Sequence, residues 1–534
     1  MRSTFFGHRR SKSLRGDAMS CPGVTATRSP AWFVLLPGAF LSACATVPQE
    51  AGFPEVREQV QQRVAMDVAW QREAAEKEKV AKAINDLLAK TPLSVDAAVQ
   101  LALLNNPALQ ADFEELGITQ ADVVQVGLLE NPELGASARF SNVDDTVPNV
   151  ELNIVQNVLN LLTRPARKRI AATEFERTKL EISNRVLALV AQVQRSYYEL
   201  LGARQVAAMR GTVAEAAAAS YELAQRFFQA GNISELDLAR EEGANEQARA
   251  DSMKADAAAV LAAEQLDRLM GLSGRGVKWD VAEKLPALPA SDPQVIALEN
   301  TALGDRLDLA ATRKETEAMI QSLGLTRRWR YLGKATLGVD AEREADRQRL
   351  IGPNVTLELP IFDQQQARIA RSEALLRQTQ ALVAALENSV RSEVRQAHEQ
   401  MGAQRTVAEH YASCLIPARE RVVEQAQRYQ NYMLIGQFEL ILAKRDEYDA
   451  YQQYLETVRD YWIARSELQR AAGGRALAGE SPTAPAELPL PSSAAPSAET
   501  KDGKCASEVQ TPSPTAQRGL EKDAGEAEMP VHRP

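Results

Sequence analysis

The chain has 534 residues, 45% of them hydrophobic but only 5% aromatic, and a formal net charge of −9 from 62 basic and 71 acidic side chains. The length covers two to four ordinary domains, and the acidic balance argues against a nucleic-acid binder, which needs a basic face. The one strongly apolar run is about ten residues long, half of what a membrane-spanning helix needs; a bundle of such helices is excluded, whereas a β-barrel, whose lipid-facing residues merely alternate, is not.

The N-terminus reads as an address. Arg2, Arg9, Arg10, Lys12 and Arg15 precede the apolar stretch from Trp32 to Phe40, the right length for the core of a signal peptide. It ends in Leu41-Ser42-Ala43-Cys44, which resembles a bacterial lipobox. Small residues before the cut fit a peptidase pocket, and the Cys44 thiol is the nucleophile that takes the lipid. Under the same resemblance Ala45, where Asp would retain the protein in the inner membrane, favours the outer membrane. Met19 gives a signal of more ordinary length than Met1.

Beyond the anchor, residues 52–90 are charged and helical in pattern. The chain then repeats itself. Ala102-Leu103 and Ala302-Leu303 lie 200 apart, as do Leu109 and Leu309. Pro148-Asn149-Val150 recurs as Pro353-Asn354-Val355 and Gly231 as Gly436, both 205 apart. Each unit reads helix, strand, strand, long helix, Gly break, helix. The first helix spans about 95–130 and stops before Pro132. In the strand that follows, Leu134, Ala136, Ala138 and Phe140 alternate with polar residues. A second strand starts at Val150. In the second unit a helix over 297–332 precedes a strand with Leu337 and Val339 on its apolar face. Another strand carries Val355, Leu357, Leu359 and Ile361. Each unit thus supplies one amphipathic hairpin, and four strands cannot close a barrel, which needs at least eight.

The long helices cover about 163–230 and 364–434, roughly 100 Å each at 1.5 Å per residue. Each equals the sum of two shorter helices, which predicts antiparallel coiled-coil pairs stacked end to end. Pro417 is expected to kink the second. Gly231 and Gly436 are expected to permit the reversals at the tips. The expected segments are 1–43 signal peptide, 44–92 lipidated N-terminus with an extra charged helix, 93–275 first repeat, 276–472 second repeat and 473–534 a Pro/Ala-rich tail. With nine prolines after residue 470, the tail is not expected to bury enough surface to order itself.

At this point the chain resembles the TolC family of bacterial outer-membrane efflux ducts over about 93–472. The resemblance rests on the lipobox at Cys44, the helix start from Ser94 to Leu109, the segment from Gly352 to Asp363, and the two tips Gly231–Leu238 and Met433–Leu440. It implies a mainly α fold with a membrane β-barrel portion. Three chains would give four strands each to a 12-stranded barrel, with a 12-helix periplasmic tunnel below. It implies a passive, gated channel of a tripartite efflux system for metal ions or small toxic compounds. The partners would be two further copies in a homotrimer, a periplasmic adaptor, an inner-membrane pump of RND or ABC type, and outer-membrane lipid. A duct for type I protein secretion and a periplasmic coiled-coil scaffold lipoprotein are the alternatives. Residues 52–90 either wrap the helical barrel or lie loose.

Under this resemblance Gly231, Ile233, Leu236, Gly436, Phe438 and Leu440 are the candidate adaptor contacts. Asp237, Glu241, Glu242, Asp446 and Asp449 are candidate entrance acids, where a charged ring would favour cations; the plainer reading is solvated helix faces. Leu134, Phe140, Leu337, Val339, Leu357 and Leu359 are the candidate lipid-facing residues. No catalytic constellation and no cofactor are expected. His410 and Cys414 stand four apart without a third ligand nearby in sequence, so no metal site is assigned, and the glycine-rich 271–276 lacks the phosphate-loop Lys and reads as a linker.

Overall fold

The computed structural model describes residues 46–140, 142, 147–272 and 279–475. Cys44, the rest of the signal region and nearly all of the tail, including Cys505, lie outside these residues. Two short helices open the described chain, α1 (Phe53–Val64) and α2 (Ala74–Leu88). The first unit follows: α3 (Val95–Asn105), α4 (Pro107–Gly127), β1 (Glu133–Arg139), β2 (Asn149–Asn157), α5 (Val158–Gln229) and α6 (Glu235–Met270). The second unit repeats this order. It has α7 (Val295–Asp305), α8 (Leu307–Trp329), β3 (Ala335–Arg343), β4 (Arg349–Leu357), α9 (Gln366–His410), α10 (Ile416–Asn431) and α11 (Gln437–Ala471).

The helix expected over 95–130 is two helices. Asn106 sits at the break, and its buried side chain accepts from the N–H groups of Ala108 and Leu109 at 2.9 and 3.1 Å, while Pro107 takes the first helical position where no N–H is needed. Asn106 also donates to the Leu269 carbonyl at 2.8 Å, tying the joint to the end of α6. The second unit solves the same break differently. Arg306 is buried between Asp308 at 2.5 Å and Glu393 at 2.7 Å. Burial works against its charge, and the two carboxylates overcome it and raise its pKa.

Helix α5 has 72 residues and is about 110 Å long. Its buried apolar residues concentrate in the middle, at Ile182, Val186, Val190, Val193, Tyr197, Leu200 and Leu201, three or four apart on one stripe. Onto that stripe converge α3, the end of α6 with Leu266 and Met270, and the end of α11 with Tyr461, Trp462 and Leu468, while the middle of α9, with Val390, Val394 and Met401, joins the same core by packing on α11. Away from this belt the packing thins: α6 buries only Asn245, Leu266 and Met270 of its 36 residues. The second long rod is interrupted by a π-helical turn at Tyr411–Leu415, immediately ahead of Pro417 in the first turn of α10. A residue lacking an N–H is accommodated there by widening the turn before it.

Residues 52–90 are docked, not loose. Val56, Val60 and Trp70 are buried, Phe53 packs its ring against Trp70 and Phe113, and the Trp70 indole donates to Glu114 at 2.9 Å. The segment between the units is pinned too. Asp292 accepts two hydrogen bonds from Arg405 at 2.7 and 2.8 Å and one from the Tyr461 hydroxyl at 2.7 Å. Burial pushes the Asp292 carboxyl up, and the bonds from Arg405 and Tyr461 outweigh it, leaving the group below its ordinary range.

The four strands form one antiparallel meander in the order β1-β2-β3-β4. The fourth strand differs from expectation. It begins at Arg349, 200 residues after the start of β2 at Asn149, so the shared Pro-Asn-Val triplet marks different places: the start of one strand and the middle of the other. Pro353 is tolerated there because β4 is an edge strand of the chain. Leu359 and Ile361 therefore follow the strand, as Phe140 follows β1.

Candidate functional site

The register of the sheet decides which residues share a face, because directly paired residues point the same way. Leu134 pairs with Ile154, Ile154 with Val339, and Val339 with Pro353. One rung along, Ala136, Leu152, Ala341 and Ile351 align. Leu337 opposes Val355, and Ala335 opposes Leu357. One face is thus apolar across all four strands on these two central rungs, with Gln156 beside Leu337 and Arg343 and Arg349 at its margins. The other carries Ser137, Glu151, Glu342 and Leu350 on one rung, and Gly135, Asn153, Asp340 and Gly352 on another. Leu134, Leu337, Val339 and Leu357 lie together on the apolar face and are exposed in the single chain. Phe140 and Leu359, just outside the strands, are exposed as well.

At the opposite end of α5 the chain reverses twice, by one geometry. At the first tip Gly231 has φ 73°, its N–H reaches the Phe228 carbonyl, and Asn232 reaches that of Phe227, which closes the helix in a Schellman turn. Ser234 then caps α6 in a reciprocal box with Asp237. At the second tip the left-handed residue is not Gly436 but Met433, with φ 59°; Met433 bonds to Gln430 and Leu434 to Tyr429. Gly436, with φ −75°, is the N-cap of α11 and the counterpart of Ser234. The expectation that Gly436 supplies the reversal is corrected: the geometric offset at the tips is Gly231 to Met433.

Of the candidate contact residues, Leu236 is exposed, while Ile233, Phe438 and Leu440 are half-buried. The most exposed apolar residues of the second tip were not among them. They are Tyr432, Met433 at 93% and Leu434. Their signal in the sequence is the Tyr-Met-Leu-Ile run ahead of Gly436.

Most of the candidate acids are engaged within the chain. Asp449 pairs with Arg210 of α5 at 3.0 Å, and Asp446 with Arg419 of α10 at 3.3 Å. Glu241 accepts from Ser220 of α5 at 2.7 Å. Asp237 is held below the ordinary carboxylate range by the Ser234 hydroxyl first and by Arg240 in addition. Glu242 is exposed and makes no ion pair among the described residues. The structure adds a buried acid, Glu447, paired with Lys444 at 2.6 Å, and beside it a Tyr451 hydroxyl that donates to Glu420 at 2.6 Å. These bonds hold α11 to α5 and α10 near the tips. Among the described residues no group of three or more His, Cys, Asp or Glu is placed to hold a metal ion.

Residues 98–272 match the family described as Outer membrane efflux protein. The chain is 26% identical over 392 residues to the cobalt-zinc-cadmium resistance protein CzcC of Cupriavidus metallidurans, covering 72% of this chain and 90% of that one. Its fold is that of CusC, whose solved structure concerns folding and transmembrane channel formation (TM-score 0.60, 16% identity, 73% of this chain and 93% of that one). The outer membrane channel CmeC of Campylobacter jejuni is similarly related (TM-score 0.62, 16% identity, 71% and 85%).

Proposed function

We propose that this chain, a member of the outer membrane efflux protein family, is the passive exit duct of a three-part efflux assembly that carries metal ions or small toxic compounds across the outer membrane. The observation that carries the reading is the single apolar face shared by four strands, mounted on helices about 100 Å long. An amphipathic sheet with both edges unpaired is a liability in water. Three copies joined edge to edge would give twelve strands and remove every edge, with the apolar face toward lipid and the polar face toward a wet lumen. The protein is a channel, not an enzyme.

The remaining parts follow that arrangement. Lipid on Cys44 would fix the chain to the membrane. The tips, far from the sheet, are where a periplasmic adaptor and an inner-membrane pump would dock, through Ile233, Leu236, Phe438 and Leu440 and through the exposed Tyr432, Met433 and Leu434. Of the entrance acids, Glu242, which makes no ion pair among the described residues, would favour cationic cargo once three copies bring it around one axis. The relative CzcC is named for cobalt, zinc and cadmium resistance, and that name turns the cargo reading toward divalent metals.

The test is growth of a deletion strain and a complemented strain across metals, dyes and antibiotics. Sensitivity to cobalt, zinc or cadmium, restored by the intact chain, is the expected result. Sensitivity to organic compounds alone would reassign the cargo. A purified protein that forms no trimer and gives no conductance in a planar bilayer would sink the duct itself.

A further inference from the structure

We infer that the junction between sheet and helices carries a basic belt that binds the headgroups of anionic phospholipids in the leaflet nearest the helices. The inference rests on the reading of the sheet as part of a membrane barrel. Four helices meet the sheet here: α4 leads into β1, α5 leaves β2, α8 leads into β3, and α9 follows β4. Their levels are fixed by contacts. Gln321 of α8 donates to Thr173 of α5 at 3.2 Å, and Arg327 of α8 pairs with Glu373 of α9 at 2.5 Å. Counting along the antiparallel helices from those contacts, Lys168 and Arg169 of α5, Arg328 of α8 and Arg371 of α9 fall within about two turns of one another. Arg330 and Arg368 stand slightly nearer the strands.

None of these six cations has an ion pair or a side-chain hydrogen bond among the described residues; Arg330 lies over the Tyr331 ring at 4.2 Å. Three nearby acids are taken elsewhere, Glu373 by Arg327, Glu358 by the Lys334 N–H and Glu174 by Arg177, while Asp122 of α4 pairs with none of the six cations. Lower down α5 the pattern reverses. Every arginine from Arg177 to Arg226 holds a carboxylate. Arg368 also sits in the first turn of α9, which contains no acidic residue, although a helix N-terminus disfavours a cation. Folding alone gives no reason for unpaired cations gathered at this level.

Their surroundings say what they would meet. Leu129, Leu162, Tyr331 and Phe362, all exposed, the last at 91%, lie between the strand ends and the basic level. Apolar and aromatic residues at that height suit the boundary of the acyl chains. Long cationic side chains just beyond them reach the phosphates, and an anionic surface attracts them at short range.

The full-length protein would be reconstituted in vesicles of phosphatidylethanolamine mixed with phosphatidylglycerol, re-extracted, and its retained lipid quantified. Enrichment of phosphatidylglycerol over the bulk is expected, weakening as salt rises. In the combined variant Lys168→Gln, Arg328→Gln, Arg330→Gln, Arg371→Gln the enrichment should fall roughly tenfold or vanish. A control, Arg195→Gln, lies below the belt and should keep it. No enrichment in the intact protein, enrichment surviving in the belt variant, or loss in the control as well would each overturn the belt while leaving the barrel standing. Failure to enter vesicles of either lipid alone or mixed would overturn the barrel reading and the belt with it.

Discussion

Met433 shows how much a single position can depart from local preference. Its φ of 59° costs an L-residue with a β-carbon about 1–2 kcal/mol relative to glycine, and its side chain is 93% exposed, so no packing offsets that cost. Met433→Gly should therefore raise thermal stability by up to about 1 kcal/mol. If it instead impairs export while stabilising the fold, the side chain is kept for docking; if export is unchanged, the exposed methionine has no such role. Asp292 is the opposite case, a residue whose partners are all within the fold. Its pKa is depressed in the folded chain, so its contribution to stability is present above the ordinary carboxylate range and is lost as pH falls through the lower, folded value. Asp292→Asn should cost about 1.5–3 kcal/mol near neutral pH. The difference from the parent should shrink in acid unfolding experiments, and a constant difference down to strong acid would show that the carboxylate charge is not what matters.

At the level of elements, the sheet gives the sharper test. Val339 and Leu357 belong to the apolar face and Thr356 to the other. Val339→Arg or Leu357→Arg should cost about 2–4 kcal/mol if the site lies near the bilayer midplane, read as loss of heat-stable assembly, whereas Thr356→Arg should assemble normally. Equal behaviour of all three would remove the assignment of lipid to this face. The alternation itself was plain in the sequence. The position of β4 was not, because Gly352-Pro353 looks like a turn and only pairing with β3 shows that proline occupying an edge. The short helices were similarly under-resolved. Asn106-Pro107 is a legible break in hindsight, but Arg306 in the same role is not, since its burial depends on Glu393, which is distant in sequence.

For the whole molecule, the packing is thinnest in the tip half of the helices, and in the proposed duct opening and closing would act there. Arg210 of α5 holds both Asp449, at 3.0 Å, and Gln452, at 2.6 Å, on α11. Cutting this tie with Arg210→Ala should loosen the tip end without unfolding the central belt, because the pair is partly solvated and worth about 1 kcal/mol or less. The expected outcome is higher conductance in planar bilayers, or greater uptake of large antibiotics by cells, with the melting temperature almost unchanged. A variant with unaltered conductance would show that α11 is not held shut through this residue.

The sequence by itself determined the two-unit plan, the long rods and the amphipathic hairpins, because helix and strand periodicities are local and survive without knowledge of neighbours. Only the tertiary structure decided how the hairpins register, which residue makes the second reversal, and that residues 52–90 dock instead of lying loose. Each of those depends on contacts between segments far apart in the chain: Trp70 with Glu114, Val339 with Pro353, Arg306 with Glu393. The acids near the tips make the same point. In the sequence they read as free charge at an entrance, and in the fold most of them are spent holding one helix to the next. A charge acts on a passing ion only after its own helices have been joined, and whether it is still available is settled by what stands opposite it in space.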